Sequence, residues 1–323
     1  MDKPVTLVSR QSPLAVAQAI ATRAMLGRAI GAPEEEWETL FPLQTHVTTG
    51  DKNLASSLSE VGGKGLFVKE IEAALISGNA QIAIHSMKDM PAVMPEGLVQ
   101  AAVPPRENPS DAFVTLDGRS LDDVPEGAVI GTSSVRRAAQ LRRQRPDVAI
   151  VPFRGNVGTR LGKLEAGEAS GTFLAEAGLR RLGHDEVQRT VMPADAMLPA
   201  LGQGILCIQT RADDPVARDL CAQITCADTE RRSSVERAFL AQLDGSCRTP
   251  MAGLAEVVPG GMRFRAEILS LDGQLAERFD DILDLSGPDL EAEVRSGAEQ
   301  GSAIAKDLLS RASAELREHL GHA

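Results

Sequence analysis

Short apolar segments alternate with helical segments along most of the chain, and this alternation limits the fold more than any other feature. Residues 6–8 form a strand-like segment, and the helix that follows has Ser12 as its N-cap and Pro13 in its first turn. The same order of strand and helix returns at residues 82–85 and again beyond residue 110. Strands that alternate with helices are typical of a mainly parallel sheet, so the pattern predicts an α/β protein.

Changes in this pattern predict three domains. The proline-rich segment 104–109 marks a domain crossing, and residues 205–209 are expected to return to the first sheet. After about residue 226, alternating segments follow one another without helices between them, which predicts a small antiparallel sheet covered by a terminal helix near 288–319. The predicted domains are an α/β domain of residues 1–104 with 200–222, an anion-binding α/β domain of residues 105–199, and a smaller C-terminal α+β domain of residues 223–323.

Composition and charge exclude several classes of function. The net charge of −11 argues against nucleic acid as a partner, and one Trp with no Tyr leaves few rings for stacking on bases. The sequence has no run of about 18 apolar residues and no signal peptide, so we expect a cytoplasmic protein with no membrane partner. No Cys-x-x-Cys spacing occurs, so we expect reduced thiols and no metal at Cys207, Cys221, Cys226 and Cys247.

Positive charge is concentrated in residues 131–163, where eight basic side chains face one acid, Asp147, for a local charge of +7. Like charges about 4 Å apart repel by about 1 kcal/mol in water and by several times that near a protein surface, so this density is typical of an anion site. The arginine fork binds both oxygens of a carboxylate. A solvated helix face is the prediction for Arg142, Arg143 and Arg145, and an anion site is the prediction for Arg136, Arg137, Arg154 and Arg160.

Two turns in this segment strengthen the prediction of an anion site. Gly131, Ser133 and Ser134 lie between a strand and a helix, where backbone N–H groups and hydroxyls converge. Arg154 leaves the next strand, and Arg160 lies at the start of the following helix. Both turns are at carboxyl ends of strands, which is where ligands bind in open α/β sheets.

Two further segments carry reactive side chains, and neither is decisive alone. Lys88 and Asp89 follow a strand, where a carboxylate can serve in acid–base chemistry or stabilise a cation, although such a pair is more often an ordinary surface pair. His85 before them is more typical of a packed or hydrogen-bonded histidine than of a catalyst. Cys247 lies in a tight loop beside Arg248, which favours the thiolate, and the residues alone leave a nucleophilic and a structural role both open.

Eight segments in this order resemble the porphobilinogen deaminase family over nearly the whole chain. The family implies a three-domain transferase: two α/β domains like those of periplasmic binding proteins, with a cleft between them, and a C-terminal α+β domain. It joins four porphobilinogen molecules head to tail, releases ammonia at each step, and frees hydroxymethylbilane by hydrolysis in tetrapyrrole and heme biosynthesis. The matching segments are residues 10–14, 61–67, 85–89, 131–137, 154–160, 177–179, 198–204 and 245–250.

The resemblance also implies a dipyrromethane cofactor, bound as a thioether to Cys247, and a monomer whose partner is the small-molecule substrate. Asp89 matches the family's catalytic carboxylate, which would stabilise the cation that forms when ammonia leaves. The implied cofactor ligands are Lys88, Ser133, Ser134, Arg136, Arg137, Arg154 and Gln203. The implied substrate ligands are Arg10, Ser12, Lys64, Phe67, Arg154 and Arg160, of which Lys64 and Phe67 match a mobile loop and its adjoining aromatic residue.

Two other interpretations compete with this one. A non-catalytic anion-binding protein of the periplasmic type would share the fold, since fold does not decide function, but it has no use for the Cys247 loop. An acyl-transfer or redox enzyme could use Cys247, although no histidine lies near it in sequence. The combined motifs favour the deaminase.

Overall fold

The structure is a computed structural model, which describes residues 3–52, 67–243 and 249–320. The strands are β1 (Leu7–Arg10), β2 (Leu43–His46), β3 (Ile82–Ser86), β4 (Leu98–Ala102), β5 (Asp111–Val114), β6 (Val129–Gly131), β7 (Ala149–Val151), β8 (Gly171–Ala175), β9 (Arg189–Val191), β10 (Leu206–Arg211), β11 (Met251–Val258), β12 (Gly261–Leu269) and β13 (Ala276–Leu283). The helices are α1 (Pro13–Ala29), α2 (Trp37–Leu40), α3 (Thr49–Lys52), α4 (Lys69–Ile76), α5 (Val135–Gln144), α6 (Val157–Glu165), α7 (Glu176–Arg181), α8 (Pro215–Ala222), α9 (Ala227–Gln242), α10 (Leu290–Arg311) and α11 (Ala314–His319).

The described residues divide into two compact units. The first contains residues 3–52, 67–107 and 204–230, and the second contains residues 108–203, 231–243 and 249–320. The division into three domains therefore remains a prediction. None of the described helices combines enough length with enough apolar character to cross a membrane.

The first unit is built on a five-stranded sheet in the order β2-β1-β3-β10-β4. Strand β1 runs parallel to β2 and β3, whereas β10 is antiparallel to both of its neighbours. Side chains alternate across the strands, so Leu7 and Ile82 join the core beneath α1 while Val8 and Ala83 pack against α4. Ser12 caps α1, as predicted, and β10 confirms the predicted return to the first sheet.

The α/β part of the second unit has its own sheet in the order β7-β6-β8-β5-β9. Strands β7, β6 and β8 are parallel, and β5 runs antiparallel to β8. Phe113 and Phe173 pack with their ring centroids 5.1 Å apart in its core. Gly131 ends β6 where the Phe153 ring leaves no space, since a Cβ would lie 2.4 Å from a ring carbon. The strand therefore passes directly beneath this ring.

The C-terminal part of the second unit is the predicted antiparallel sheet, in the order β11-β12-β13, with α9 and α10 packed on it. Helices α9 and α10 approach closely at Gly301, where a Cβ would lie only 2.4 Å from the carbonyl oxygen of Val235. Glycine allows this approach because it has no side chain. The single terminal helix predicted near 288–319 is wrong in one respect: it is two helices. Helix α11 begins afresh, because the Ser313 hydroxyl accepts a hydrogen bond from the N–H of Leu316 at 3.1 Å.

The basic residues at the end of α5 hold this helix within the second unit. Nη1 of Arg143 lies 2.9 Å from Oε2 of the buried Glu267 on β12, and Arg145 pairs with Asp147 at 2.6 Å. Arg142 is exposed, but it donates a hydrogen bond to the carbonyl of Leu271. The predicted solvated face is therefore wrong for Arg143 and Arg145, which are partly buried and paired.

Candidate active site

A pocket in the first unit collects polar side chains from strand ends and helix starts. Strands β1 and β3 are adjacent and parallel, so their carboxyl ends meet at one edge of the sheet. The N-terminus of α1 and the segment just before α4 complete the pocket. Its polar and aromatic lining includes Arg10, Ser12, Gln18, Phe67, His85 and Asp89.

Asp89 lies in a short 3₁₀ turn directly after β3 and faces a cation across the pocket. Its Oδ2 is 4.0 Å from Nη1 of Arg10, and the two side chains are 34% and 22% exposed. The Arg10 guanidinium in turn lies over the Phe67 ring, 4.3 Å from its centroid. Because the ion pair is long and partly open to solvent, the Asp89 carboxylate can accept a hydrogen bond from a ligand without breaking a buried ion pair. Lys88 is in the same turn and partly buried.

His85, at the end of β3, is buried in this pocket wall. Its Nε2 lies 3.1 Å from Oε1 of Gln209, whose Nε2 donates to Oε1 of Glu72 at 3.0 Å. Burial lowers the pKa of His85 to about 4; the Gln209 hydrogen bond opposes this shift and the charge of Arg10 adds to it. The imidazole is therefore neutral at physiological pH. This confirms the prediction that His85 is hydrogen-bonded.

The second unit contains a buried charge cluster around Asp111, a residue that the sequence analysis missed. Asp111 begins β5 and is fully buried; its Oδ2 lies 2.8 Å from Nη1 of Arg136 and its Oδ1 lies 2.6 Å from Nη2 of Arg137. Nε2 of Gln203 donates to the same Oδ1 at 2.8 Å. Burial by itself raises the pKa of Asp111, but the two arginines more than offset it and hold this pKa well below its usual range.

The guanidinium groups of this cluster retain unused donors. Arg136 and Arg137 also donate to the carbonyls of Leu198 at 2.6 Å and Phe173 at 2.8 Å. The buried Nε atoms of Arg137 and Arg160 have no hydrogen-bond acceptor among the residues that the structure describes. Burial, with the charge of Arg137 adding to it, lowers the pKa of Arg160 to about 10, so it remains a cation at neutral pH. Each buried donor of this kind needs an acceptor, and an anionic ligand can supply one.

The hydroxyls predicted to bind an anion have roles in the fold as well. The Ser133 hydroxyl accepts a hydrogen bond from the N–H of Phe153 at 2.8 Å. Ser134 caps α5 and accepts from the N–H of Arg137 at 3.4 Å. Each hydroxyl still has its own hydrogen to donate. Arg154 follows Phe153 beyond β7 and is partly buried.

The structure therefore brings the predicted site residues together in two sets. Arg136, Arg137, Arg160 and Gln203 surround or approach Asp111, and Arg10, Ser12, Phe67 and Asp89 share the pocket of the first unit. Lys64 and Cys247 lie outside the described residues. No group of three or more metal-ligating side chains occurs in the part of the chain that the structure describes.

Comparison with known proteins identifies one family along nearly the whole chain. Residues 5–219 match the model of the porphobilinogen deaminase dipyrromethane cofactor binding domain, and residues 231–309 match that of the porphobilinogen deaminase C-terminal domain. A porphobilinogen deaminase of Paracoccus denitrificans is 47% identical, over 97% of this chain and 96% of its own length. One of Geobacillus kaustophilus is 45% identical, over 97% of this chain and 98% of its own length.

Solved structures similar in fold include periplasmic solute-binding proteins. One from an arginine transport system of Legionella pneumophila covers 69% of this chain and 92% of its own, at 14% identity and a TM-score of 0.39, a similarity too low to carry an argument. The two domain models and the relatives that match it from end to end are decisive, and the chain belongs to the porphobilinogen deaminase family.

Proposed function

We propose that this chain condenses four porphobilinogen molecules head to tail on a dipyrromethane primer, releasing ammonia at each step and then hydroxymethylbilane by hydrolysis. Near-half identity to named porphobilinogen deaminases over the full length supports this function. The observation that carries the chemistry is the buried cluster around Asp111, in which three guanidinium groups face a single carboxylate. Each added pyrrole brings two further carboxylates, and a charge-assisted hydrogen bond contributes roughly 1.5–3 kcal/mol.

The residues present fit a polycarboxylate cofactor. The orphaned Nε atoms of Arg137 and Arg160 are buried donors that need an acceptor, and planar guanidinium groups match carboxylates. When bound, the cofactor supplies a primer with a nucleophilic pyrrole carbon. We therefore retain as its proposed ligands Lys88, Ser133, Ser134, Arg136, Arg137, Arg154 and Gln203, with Cys247 as the thioether anchor.

In the first unit, Asp89 is the proposed catalytic carboxylate. A partly exposed anion at the end of β3 can accept the pyrrole N–H and stabilise the positive charge that develops on the ring as ammonia leaves. The planar guanidinium of Arg10, which lies over the Phe67 ring, matches the two oxygens of a substrate carboxylate. Arg10, Ser12, Lys64, Phe67, Arg154 and Arg160 form the proposed substrate-binding set.

Intact mass spectrometry of the purified protein tests this function. We expect an added mass equal to two linked pyrroles, lost in Cys247→Ser and retained in the matched control Cys226→Ser, whose thiol is only partly buried. Wild-type protein given porphobilinogen releases ammonia and a linear tetrapyrrole. An unmodified protein that is fully active would contradict the covalent primer, and a modified protein with no turnover would contradict the reaction.

We also propose a cytoplasmic monomer that acts in tetrapyrrole and heme biosynthesis. The net charge of −11 supports a small-molecule substrate rather than a nucleic acid partner.

A further inference from the structure

Three buried polar residues form a hydrogen-bonded chain through the first unit. His85 on β3, Gln209 on β10 and Glu72 on α4 are 5%, 0% and 6% exposed. The Gln209 amide joins the other two, with its oxygen 3.1 Å from the His85 ring and its nitrogen 3.0 Å from the Glu72 carboxylate. The proposed reaction uses none of these three side chains.

The order of donors and acceptors along this chain determines which imidazole nitrogen carries the proton. Gln209 directs its NH₂ group toward Glu72, whose Oε1 accepts, and its carbonyl oxygen toward Nε2 of His85. That oxygen accepts a hydrogen bond from Nε2–H of His85. Because a neutral imidazole has a single N–H, Nδ1 is left as an acceptor. Burial raises the pKa of Glu72, while the Gln209 amide opposes the shift.

The imidazole that this chain holds lines the same pocket as Arg10 and Asp89. Among the described residues, none forms a hydrogen bond with Nδ1 of His85. Burial, helped by the charge of Arg10, keeps the ring neutral, so it would not repel a cation that enters the pocket. Together with the Asp89 carboxylate, this neutral acceptor suits an ammonium group, which needs several acceptors at once.

We propose that Nδ1 of His85 accepts a hydrogen bond from the aminomethyl nitrogen of the substrate, and that Gln209 and Glu72 are positioning residues that lock the required tautomer. This inference rests on the proposed function and assigns one further substrate contact to the same pocket. If this hydrogen-bonded chain only connected α4 to the sheet, it would require Nε2 of His85 but not Nδ1.

Two substitutions separate the substrate-binding role from the structural role, because each keeps a polar group at the position of only one imidazole nitrogen. In His85→Gln the amide reaches the Nε2 position and can still bond Gln209, but no acceptor remains near Nδ1. In His85→Asn the amide oxygen takes the Nδ1 position and the bond to Gln209 is lost. We expect His85→Gln to lower kcat/KM for porphobilinogen by about tenfold to a hundredfold, chiefly through KM, and His85→Asn to lower it clearly less. The control His184→Gln changes a partly exposed ring elsewhere and leaves kcat/KM unchanged.

Any other order of the two variants overturns the proposal, including equal losses or a larger loss in His85→Asn. NMR of the imidazole nitrogens at mildly alkaline pH provides a second readout that does not depend on turnover. We expect a proton on Nε2 in the wild type and a mixture of tautomers in Glu72→Gln, whose amide can donate as well as accept. A proton on Nδ1 in the wild type would refute the lock. A wild type that does not convert porphobilinogen would reject the proposed function, and the NMR result would still decide the tautomer.

Discussion

The two units treat a carboxylate and its arginine partner in opposite ways. In the first unit, Asp89 and Arg10 are 4.0 Å apart and partly open to solvent. In the second unit, Asp111 is fully buried, with Arg136 at 2.8 Å and Arg137 at 2.6 Å. The first pair is long and partly exposed, and the second is short and buried.

This difference matches two tasks. A carboxylate that binds a substrate which changes during the reaction benefits from a weak, partly exposed ion pair. Such a pair can be replaced by a contact with the ligand with little loss of free energy. A site that must bind anions is best assembled in advance, because charges desolvated during folding need no reorganisation when the ligand arrives. Folding bears the cost of this arrangement, and a buried charge becomes costly when its partner is removed.

The largest effect is expected at the exposed carboxylate. Asp89→Asn keeps the shape and removes the charge, so we expect kcat to fall by about 10²- to 10⁴-fold, because Asp89 is the only acidic side chain among the described residues that line the pocket. The thermal midpoint should change little, since the pair is partly exposed. Steady-state kinetics and thermal unfolding of the same preparation measure both. A kcat near that of the wild type would remove Asp89 from the reaction.

At the buried carboxylate we expect the opposite balance of effects. Asp111→Asn leaves Arg136 and Arg137 buried without a counter-charge, so the free energy of unfolding should fall by about 3–5 kcal/mol in urea denaturation. The matched control is Asp117→Asn, which breaks an exposed pair with Arg119 and should lower the free energy of unfolding far less. Equal losses in the two variants would show that burial does not distinguish the pairs.

The pH dependence of this stability has a defined sign. The pKa of Asp111 is lower in the folded state than in the unfolded state, so in acid the unfolded state binds the proton first. The stabilisation is complete above the unfolded pKa of about 3.9 and is lost as the pH falls below it. The stability difference between wild type and Asp111→Asn should therefore be constant near neutrality and shrink below about pH 4. A difference that grows in acid would contradict the direction of the shift.

The smallest effect on folding is expected at Arg160, whose buried Nε has no acceptor among the described residues. Arg160→Gln removes a partly buried charge, so the unfolding free energy should stay the same or rise slightly. The KM for porphobilinogen should rise by about tenfold, because one charge-assisted hydrogen bond is lost. Denaturation and steady-state kinetics together test this. A marked loss of stability with unchanged KM would make Arg160 a structural residue.

Local patterns allowed much of the fold to be predicted. The Ser12 cap, the three antiparallel strands after residue 226 and the return of β10 to the first sheet are all confirmed. These features depend on neighbouring residues or on clear alternation. The break between α10 and α11 was missed, because its signal is a single cap residue, Ser313, within a long helical pattern.

The sequence predicted both partners of the Arg10–Asp89 pair, but only the arginines of the two pairs with Asp111. The density of arginines in α5 identified Arg136 and Arg137, but their partner Asp111 lies on β5, far away in sequence. Its only local signal is an acid at the start of an apolar segment, which is also typical of an ordinary strand end. Only the sheet order, which places β5 beside β8, brings the acid and the arginines together. Such pairings depend on topology and not on spacing.

The position of β10 affects how the protein can be made. This strand lies between β3 and β4, yet the chain reaches it only after the α/β sheet of the second unit has been encoded. On the ribosome, the sheet that starts first is therefore completed only after the α/β sheet of the second unit, and β3 and β4 lack the strand between them until Arg211 has emerged. A fragment that stops before residue 204 would expose two unpaired strand edges where the intact protein has one continuous sheet.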